Sequence, residues 1–364
     1  MKKLMTMLLL ALVVLAACAA PAPEVIEKEV VVEKEVPVTV EVEKEVVVEK
    51  EVVVTPTPPA VEPEEYVYVG VSPLAIPYTK LMEDGAIQAG KDLNRTVFWF
   101  QPTDLDFAKM MLMAESALSL PNLKGMTVIC ADDQSCTGLY ETALERGIAV
   151  TAHGGCPDNS PLCYSTDMPE AGRAVAEKLG EMMGGKGVVG IAGGLIGAEN
   201  QQQRVDSFKE YMAEHYPDID IREGVKDCDK LTEAAKCAEV MLSMHPDINA
   251  YYTVGGVAPG PAAAVFQAAG RKDIIVTGVD DSPDVVEGIR NGSIAFTYLQ
   301  CPYATGYLMI YLPYLMAEKG LKPTQHFVDT GITFVDKSNV DDIQKAYAEK
   351  AVALKKLFDE EIMK

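Results

Sequence analysis

The sequence predicts an α/β protein of two Rossmann-like lobes joined by a multi-strand hinge. The chain has 364 residues, of which 48% are hydrophobic, and a chain of this length usually divides into more than one core. Beyond residue 65, short β-branched runs alternate with helical stretches, an order typical of parallel sheets with right-handed crossovers. The strand-like runs are too many for one compact unit, and they lie at 66–71, 96–100, 126–130, 148–152, 188–191, 250–254, 274–279 and 294–299.

Ligands of such folds bind at the carboxyl ends of the parallel strands, between the lobes. An irregular segment at 154–165 separates the two lobes, and a long helical stretch at 303–321 is expected to cross back onto the first. The predicted organisation is a signal peptide at 1–17, a tether at 18–65, a first lobe at 66–166 plus 302–322, a second lobe at 167–301 plus 323–345, and a helical tail at 346–364.

The N-terminus has the pattern of an export signal. Lys2 and Lys3 precede an apolar run at 8–17, which is shorter than the ~20 residues that a membrane-spanning helix needs. The sequence LAAC at 15–18 resembles the lipobox of bacterial lipoproteins, in which the signal is cut before a cysteine that carries lipid. This resemblance implies lipidation of Cys18 and an anchored protein outside the cytoplasmic membrane, in the periplasm or at the outer cell surface. The alternative is an ordinary signal with an incidental cysteine.

Residues 24–54 nearly repeat two short units, Glu-Lys-Glu and Val-Val-Val, and the charged unit begins at 27, 33, 43 and 49. A valine-rich segment forms helices poorly, and interspersed charges discourage strand aggregation. We therefore expect a solvated, extended tether. Pro37 argues against the alternative, a coiled coil.

The chain is strongly acidic. Lys plus Arg total 32 against 54 Asp plus Glu, a formal charge of −22, which opposes binding to nucleic acid or anionic lipid headgroups. We expect no nucleic-acid partner, and contact with a membrane through the lipid anchor only.

Catalytic motifs do not assemble from the sequence. GGLIG at 193–197 follows a strand-like run, but its spacing is not that of a dinucleotide-binding loop. The sequence also has no Gly-x-Ser-x-Gly elbow and no phosphate-binding Gly-x-x-x-x-Gly-Lys loop with the Ser or Thr that completes that motif. We expect no catalytic residues, no enzymatic activity and no cofactor.

Four motifs, in this order and spacing, carry a resemblance to a known family. They are VSPLAIPY at 71–78, RVDSF at 204–208, VTGVDDSPD at 276–284 and TYLQCPY at 297–303. The chain from about residue 66 to 341 resembles the ribose-binding type of periplasmic solute-binding protein, the extracellular component of ABC sugar importers. The resemblance implies a type I periplasmic binding protein fold.

The resemblance also implies ligand-binding residues. Tyr78 takes the place of an aromatic residue that stacks on the sugar ring, and Arg204, Asp280 and Gln300 match the polar residues of the family. A guanidinium and a carboxylate suit the adjacent hydroxyls of a neutral sugar. The alternatives are a solvated charge for Arg204, a helix cap for Asp280, a loop residue for Gln300 and a core ring for Tyr78.

Several positions depart from the family pattern, so ribose itself is not the expected ligand. The departures are Ile76, Thr79, the Gly154-Gly155 pair, Cys228 between two aspartates, and the Gly255-Gly256 pair. His153, just before one departure, is a candidate contact, with a structural imidazole as the alternative. Gln202 is a further candidate among the amides at 200–203.

The function that the resemblance implies is capture of a neutral sugar or polyol by hinge closure, and delivery to an ABC transporter permease. We expect a monomer. Two alternatives remain: a binding module for a nucleoside or a furanosyl signalling molecule, and a sensor that feeds a membrane receptor.

Seven cysteines follow Cys18, in a compartment where disulfides persist. Cys156 with Cys163 encloses a loop of turn residues and is the first candidate pair. Cys228 with Cys237 and Cys130 with Cys136 follow, which leaves Cys301 as a free thiol. A zinc site is the alternative, but no tetrahedral ligand spacing occurs and the four histidines are scattered, so no metal is expected.

Overall fold

The computed structural model describes residues 65–364, in which strands and helices alternate. The predicted signal peptide, Cys18 and the tether up to residue 64 lie outside the described residues. The strands are β1 (Val67–Val71), β2 (Thr96–Phe100), β3 (Leu123–Cys130), β4 (Ala149–Gly154), β5 (Cys163–Ser165), β6 (Lys186–Ala192), β7 (Asp218–Glu223), β8 (Ala250–Thr253), β9 (Ile275–Val276), β10 (Phe296–Leu299), β11 (Phe327–Asp329) and β12 (Thr333–Asp336).

Ten α-helices lie in this part of the chain, and none of them is long and apolar enough to cross a membrane. They are α1 (Pro77–Leu93), α2 (Phe107–Ala117), α3 (Thr137–Glu145), α4 (Met168–Met182), α5 (Glu199–His215), α6 (Ala234–Met244), α7 (Pro259–Ala268), α8 (Pro283–Asn291), α9 (Pro302–Lys319) and α10 (Ile343–Leu357). A 3₁₀ turn (Val340–Asp342) precedes α10, and a π-helical turn (Phe358–Ile362) follows it.

The first sheet has six parallel strands in the order β11-β5-β4-β3-β1-β2. All five residues of β1, with the sequence VYVGV, are buried, as expected for a strand covered on both faces. Val69 pairs with Phe98 on one side and with Met126 on the other. We call this sheet, with α1–α3 and α9, the first lobe.

A second parallel sheet has the order β7-β6-β8-β9. A parallel bridge between Thr277 and Phe296 connects it to the antiparallel pair β10-β12. These strands, with α4–α8, form the second lobe. The predicted fold class, two α/β lobes with parallel sheets, is confirmed.

The chain passes between the lobes three times, at residues 166–167, 300–301 and 330–332. We call these the crossing segments. The carboxylate of Asp329 accepts hydrogen bonds from the backbone of Asp167 at 2.9 Å and of Gly331 at 2.7 Å, and Thr330 N–H donates to the carbonyl of Ser165 at 2.9 Å. Two crossing segments are thereby held together.

Helix α9 packs against α1 at a contact that requires glycine on both sides. A Cβ atom at Gly85 would lie 2.0 Å from the carbonyl oxygen of Tyr303, and one at Gly306 would lie 1.9 Å from that of Met82. Any side chain there would force the backbones apart, because real Cβ contacts are never this short.

The C-terminal segment contacts both lobes. Ile343 and Tyr347 of α10 pack against the core of the second lobe, while Leu354 and Phe358 pack in the core cluster that includes α9. The last residue, Lys364, exchanges two backbone hydrogen bonds with Lys322, of 2.6 and 2.9 Å. This segment therefore lies alongside the crossing segments.

The lobe boundaries stay predictions, and one strand differs from the predicted arrangement. The sequence predicts the segment 323–345 as part of the second lobe, yet β11 within it pairs with β5 in the first sheet, and β12 pairs with β10. Strand β11 is three residues long and has no hydrophobic alternation that indicates its sheet.

Three disulfides join the six paired cysteines of the described residues. They are Cys130–Cys136, Cys156–Cys163 and Cys228–Cys237, and Cys301 is a buried free thiol.

Candidate ligand-binding site

Arg204 is the centre of a buried polar cluster on the second lobe. It lies on α5 and is only 3% exposed. Its Nη1 donates to the carbonyl of Val254 at 2.7 Å, and its Nη2 donates to Oε1 of Gln300 at 3.1 Å. The guanidinium lies over the ring of Tyr298, 5.7 Å from the centroid. A guanidinium that is this deeply buried and hydrogen-bonded is not a solvated surface group.

Gln300 connects Arg204 to Asp280. It lies in a crossing segment, is 7% exposed, and donates from Nε2 to Oδ1 of Asp280 at 2.9 Å. Asp280 has a φ of +60°, in the left-handed region that Asp tolerates better than most residues. Its backbone donates to the carbonyl of Tyr298 at 2.9 Å and accepts from the hydroxyl of Thr297 at 2.7 Å. Through Gln300, the contacts from Arg204 to Asp280 thus join the second lobe to a crossing segment.

The carboxyl of Asp280 lies in a poorly solvated position. Burial raises its pKa from 3.8 to about 6, although the amide of Gln300 and the charge of Arg204 both act to lower it. The residue at the N-cap of α8 is Ser282, and the side chain of Asp280 contacts Gln300 instead. The carboxylate is therefore directed into the cluster and does not cap the helix.

Asp229 is a second carboxylate in this cluster, and it is absent from the predicted binding residues. Its Oδ2 accepts from Nε2 of Gln201 at 2.8 Å, and its Oδ1 accepts from the backbone of Val257 at 2.8 Å. Burial raises its pKa. A Cβ atom at Gly255 would lie 1.9 Å from Oδ2, so the glycine at this departed position makes room for the carboxylate.

Gln202 lies away from the cluster, on the exposed face of α5. Its amide donates to Oδ1 of Asp206 at 2.8 Å, and its carbonyl accepts from Lys226 at 2.9 Å. Gln201, one position earlier, is 8% exposed and faces the cluster. Of the amides at 200–203, the structure brings Gln201 close to Arg204 and leaves Gln202 outside.

The first lobe contributes Tyr78, at the start of α1. Burial raises the pKa of its phenol, and the negative charge of Asp280 raises it further, whereas Arg204 acts to lower it. The phenol is therefore in the electrostatic field of the second-lobe cluster. The ring also packs against the core cluster that contains residues of α9, as in the alternative of a core ring.

His153 lies near the end of β4 and is buried among first-lobe residues. Its Nδ1 is 2.7 Å from the carbonyl oxygen of Tyr164, and the two rings are 5.4 Å apart. Burial lowers its pKa to about 4, so the imidazole is neutral near pH 7. The tyrosine carbonyl is its hydrogen-bond partner, as in the structural alternative.

Two phenol hydroxyls near Arg204 are buried without a hydrogen-bond partner among the described residues. They belong to Tyr252 and Tyr298. The two phenols and Arg204 interact electrostatically. A buried hydroxyl normally finds a partner, so this pair of donors is suited to a polar ligand or an ordered water.

The C-terminal helix reaches the edge of the cluster through Tyr347. Burial raises the pKa of its phenol, and the nearby carboxylate of Asp281, next to Asp280 in the chain, raises it further. The thiol of Cys301 is 3.7 Å from the carbonyl of Tyr347. Tyr347 is not a residue that the motifs indicate.

Together, these residues offer hydrogen-bond donors and acceptors from the second lobe and a phenol ring from the first lobe. Arg204 supplies forked donors, Asp280 and Asp229 supply acceptors, and Tyr78 supplies an aromatic group. Such a set suits recognition of hydroxyl groups without bond-making chemistry.

Two parallel α/β lobes with three crossings, and a polar cluster beside them, define a two-lobed binding protein. Residues 67–321, well over half of the chain, match the family described as the periplasmic binding protein domain. The chain belongs to this family. The resemblance and the expectation of a binding protein, and not an enzyme, are thereby confirmed, and membership implies a location outside the cytoplasm.

Curated relatives match over part or most of the chain. The ribose import binding protein RbsB of Salmonella typhimurium is 28% identical over 136 residues, which cover 37% of this chain and 44% of RbsB. The chain thus spans less than half of that relative. The xylose/arabinose-binding protein XylF of Sulfolobus acidocaldarius is 23% identical over 294 residues, which cover 75% of this chain and 70% of XylF.

Solved structures show the same fold. An ABC transporter solute-binding protein from Burkholderia graminis, crystallised with D-arabinose, superposes with a TM-score of 0.70 at 23% identity. The superposition covers 77% of this chain and 98% of that protein.

Proposed function

We propose that this protein is an extracytoplasmic solute-binding lipoprotein of an ABC transporter. It binds a neutral sugar or polyol by closure of its two lobes and delivers it to a membrane permease. The observation that carries the proposal is the contact chain Arg204–Gln300–Asp280, because it links buried hydrogen-bonding groups of the second lobe to a crossing segment. A ligand held by these groups acts directly on the hinge.

The ligand class follows from the chemistry of the cluster. Neighbouring hydroxyls on a sugar match the fork of a guanidinium and the two oxygens of a carboxylate. The unpaired hydroxyls of Tyr252 and Tyr298 add two groups that a hydroxyl-rich ligand or its waters could satisfy. The relatives named for ribose, xylose and arabinose favour a pentose as the first choice.

The predicted N-terminal features fit the same function. A lipid on Cys18 would anchor the protein, and the roughly 45 residues of the tether could reach on the order of 150 Å when fully extended. The binding lobes would then be held at the membrane without being inserted in it. A Cys18→Ser variant tests the anchor: we expect it to lose fatty-acid labelling and to leave the membrane fraction.

A thermal-shift panel of pentoses, hexoses, polyols and nucleosides tests the ligand class. A ligand at about 1,000 times its Kd stabilises the native state by about 4 kcal/mol, so a true ligand should stand out clearly. We expect a pentose or a polyol to give the largest shift, and small-angle scattering to show a smaller radius of gyration with that ligand. A shift by nucleosides alone would favour the alternative binding module.

Transport and sensing are separated by an uptake experiment. Deletion of the gene should abolish uptake of the labelled sugar that gives the largest thermal shift. Normal uptake, together with a lost transcriptional response to that sugar, would support the receptor-linked alternative instead.

A further inference from the structure

Cys156, Cys163 and His326 come together on the first lobe, away from the cluster around Arg204. Cys156 follows β4, Cys163 begins β5, and His326 immediately precedes β11. Because β5 lies between β4 and β11 in the sheet, these three positions are neighbours although His326 is 163 residues beyond Cys163. Sequence spacing therefore gave no sign of this group.

The imidazole faces both sulfur atoms. The Sγ of Cys156 is 3.7 Å from Nδ1 and 3.8 Å from Nε2 of His326, and the Sγ of Cys163 is 3.8 Å from Nε2. Cys163 is buried, Cys156 is partly buried, and His326 is exposed, so the group is open to solvent on one side.

These distances are close to those of a tetrahedral metal site. Zn–S and Zn–N bonds of about 2.3 and 2.0 Å place a sulfur and a nitrogen about 3.5 Å apart around one ion. The Cα atoms of the two cysteines are 5.4 Å apart, close enough for both sulfurs to bind one ion. The two sulfurs are bonded to each other, so an ion can enter only after that bond is broken.

We propose that Cys156, Cys163 and His326 form a redox-exchangeable metal site, which is a disulfide when oxidised and binds a thiophilic divalent cation such as Zn²⁺ when reduced. A thiol or phosphine reductant donates two electrons, the S–S bond breaks, and each sulfur takes one proton. The cation then binds two thiolates and the imidazole and displaces those two protons, and water fills the fourth position.

The other two disulfides provide a comparison within the same protein. Cys130 contacts the carbonyl of Val128 and the hydroxyl of Tyr140, and Cys228 contacts the carbonyl of Val225. Neither has an imidazole among its described contacts. Among the described disulfides, Cys156–Cys163 is therefore the one with a third metal-ligating side chain beside it.

The test uses the purified protein, reduced with tris(2-carboxyethyl)phosphine, exchanged into oxygen-free buffer and titrated with Zn²⁺ against a chromogenic chelator. We expect reduced wild-type protein to bind one Zn²⁺ more than the oxidised protein. Titration with Co²⁺ should produce thiolate-to-metal charge-transfer absorption, which surface carboxylates do not give.

Three variants make the assignment specific. His326→Ala should weaken binding of this ion at least about tenfold, because it removes one of three protein ligands. The Cys156→Ser/Cys163→Ser double variant should abolish the ion and its Co²⁺ absorption, and His215→Ala, at an exposed histidine on α5, should bind like wild type.

Equal Zn²⁺ affinity of reduced wild type and His326→Ala overturns the proposal, as does equal uptake by oxidised and reduced wild type. Circular dichroism of each reduced variant shows whether it is folded. The sugar-induced thermal shift of the oxidised proteins is independent of this site, so failure here leaves the proposed function untouched.

Discussion

The two lobes place different chemistry beside the crossing segments. The second lobe presents a connected set of charged and amide groups, in which Arg204, Gln300 and Asp280 are bonded in series. The first lobe presents the ring of Tyr78, and His153 of the same lobe bonds to a carbonyl of that lobe. From this contrast we expect the second lobe to supply most of the hydrogen bonds to a ligand and the first lobe to supply an aromatic contact.

The largest effect is expected for Arg204→Met, which removes the forked donors and preserves apolar bulk. Loss of a buried charged hydrogen-bond partner costs several kcal/mol, so affinity should fall on the order of 100-fold or more. Calorimetry with the sugar that gives the largest thermal shift measures it. Gln202→Ala on the same helix is the matched control and should bind like wild type, since its partners lie outside the cluster. Equal losses in both variants would contradict the assignment.

Asp280→Asn should lower the affinity for the ligand about tenfold or more near neutral pH. It should also remove the dependence of that affinity on pH. The pKa of about 6 lies above the ordinary 3.8, so the native state binds a proton that the unfolded state releases between these values. The contribution of Asp280 to the free energy of unfolding therefore falls as pH rises through this window.

The affinity of the wild type for its ligand should rise from pH 5 to pH 7, while the contribution of Asp280 to the free energy of unfolding falls. The affinity rises because the carboxylate becomes available to accept hydrogen bonds from hydroxyl groups. His153, with a pKa near 4, is neutral across this range and adds no second step. Titrations at several pH values measure the affinity. A wild-type dependence that persists in Asp280→Asn would show that another group titrates.

Tyr78 tests the aromatic contribution of the first lobe. Tyr78→Phe keeps the ring and should bind within a few-fold of wild type, whereas Tyr78→Ala should lose about tenfold, as expected for loss of an aromatic contact. If Phe is as damaging as Ala, the phenol hydroxyl makes the contact, and the contrast between the lobes weakens.

The smallest effect is expected for Tyr347→Phe, which removes the phenol hydroxyl near Asp281 and keeps the ring packed. Loss of one polar contact should lower the free energy of unfolding by no more than about 0.5–1.5 kcal/mol, measured by urea denaturation. Affinity should change by a few-fold at most. Lys345→Ala is the control on the exposed side of α10, where Lys345 pairs only loosely with Glu349, at 3.9 Å.

The α/β organisation could be predicted because it depends on local patterns. The buried run VYVGV of β1 and the alternation of strands and helices are visible in any short window of the chain. Strand β11 shows the limit of such reasoning, since three residues do not indicate which sheet they join.

Within the site, each motif indicated a residue inside its own short segment, and the motifs gave no sign of residues that depend on helix rotation or on distant packing. Gln201 and Arg204 are three positions apart and share the buried face of α5, whereas Gln202 lies two positions from Arg204 and faces outward. That spacing was the available signal. Tyr347, and His326 outside the site, had no such signal, because their neighbours lie far away in the sequence.

The close approach of α1 and α9 affects the distance between two residues of the candidate site. Tyr78 stands at the beginning of α1, and Gln300 directly precedes the turn into α9, so the touching backbones at Gly85 and Gly306 set the spacing between an aromatic group and an amide far from the point of contact. A methyl group on either glycine would push α1 and α9 apart, and the helix ends near Tyr78 and Gln300 would move with them. We therefore expect the size of the ligand that this protein accepts to depend partly on Gly85 and Gly306, which lie in the helix contact.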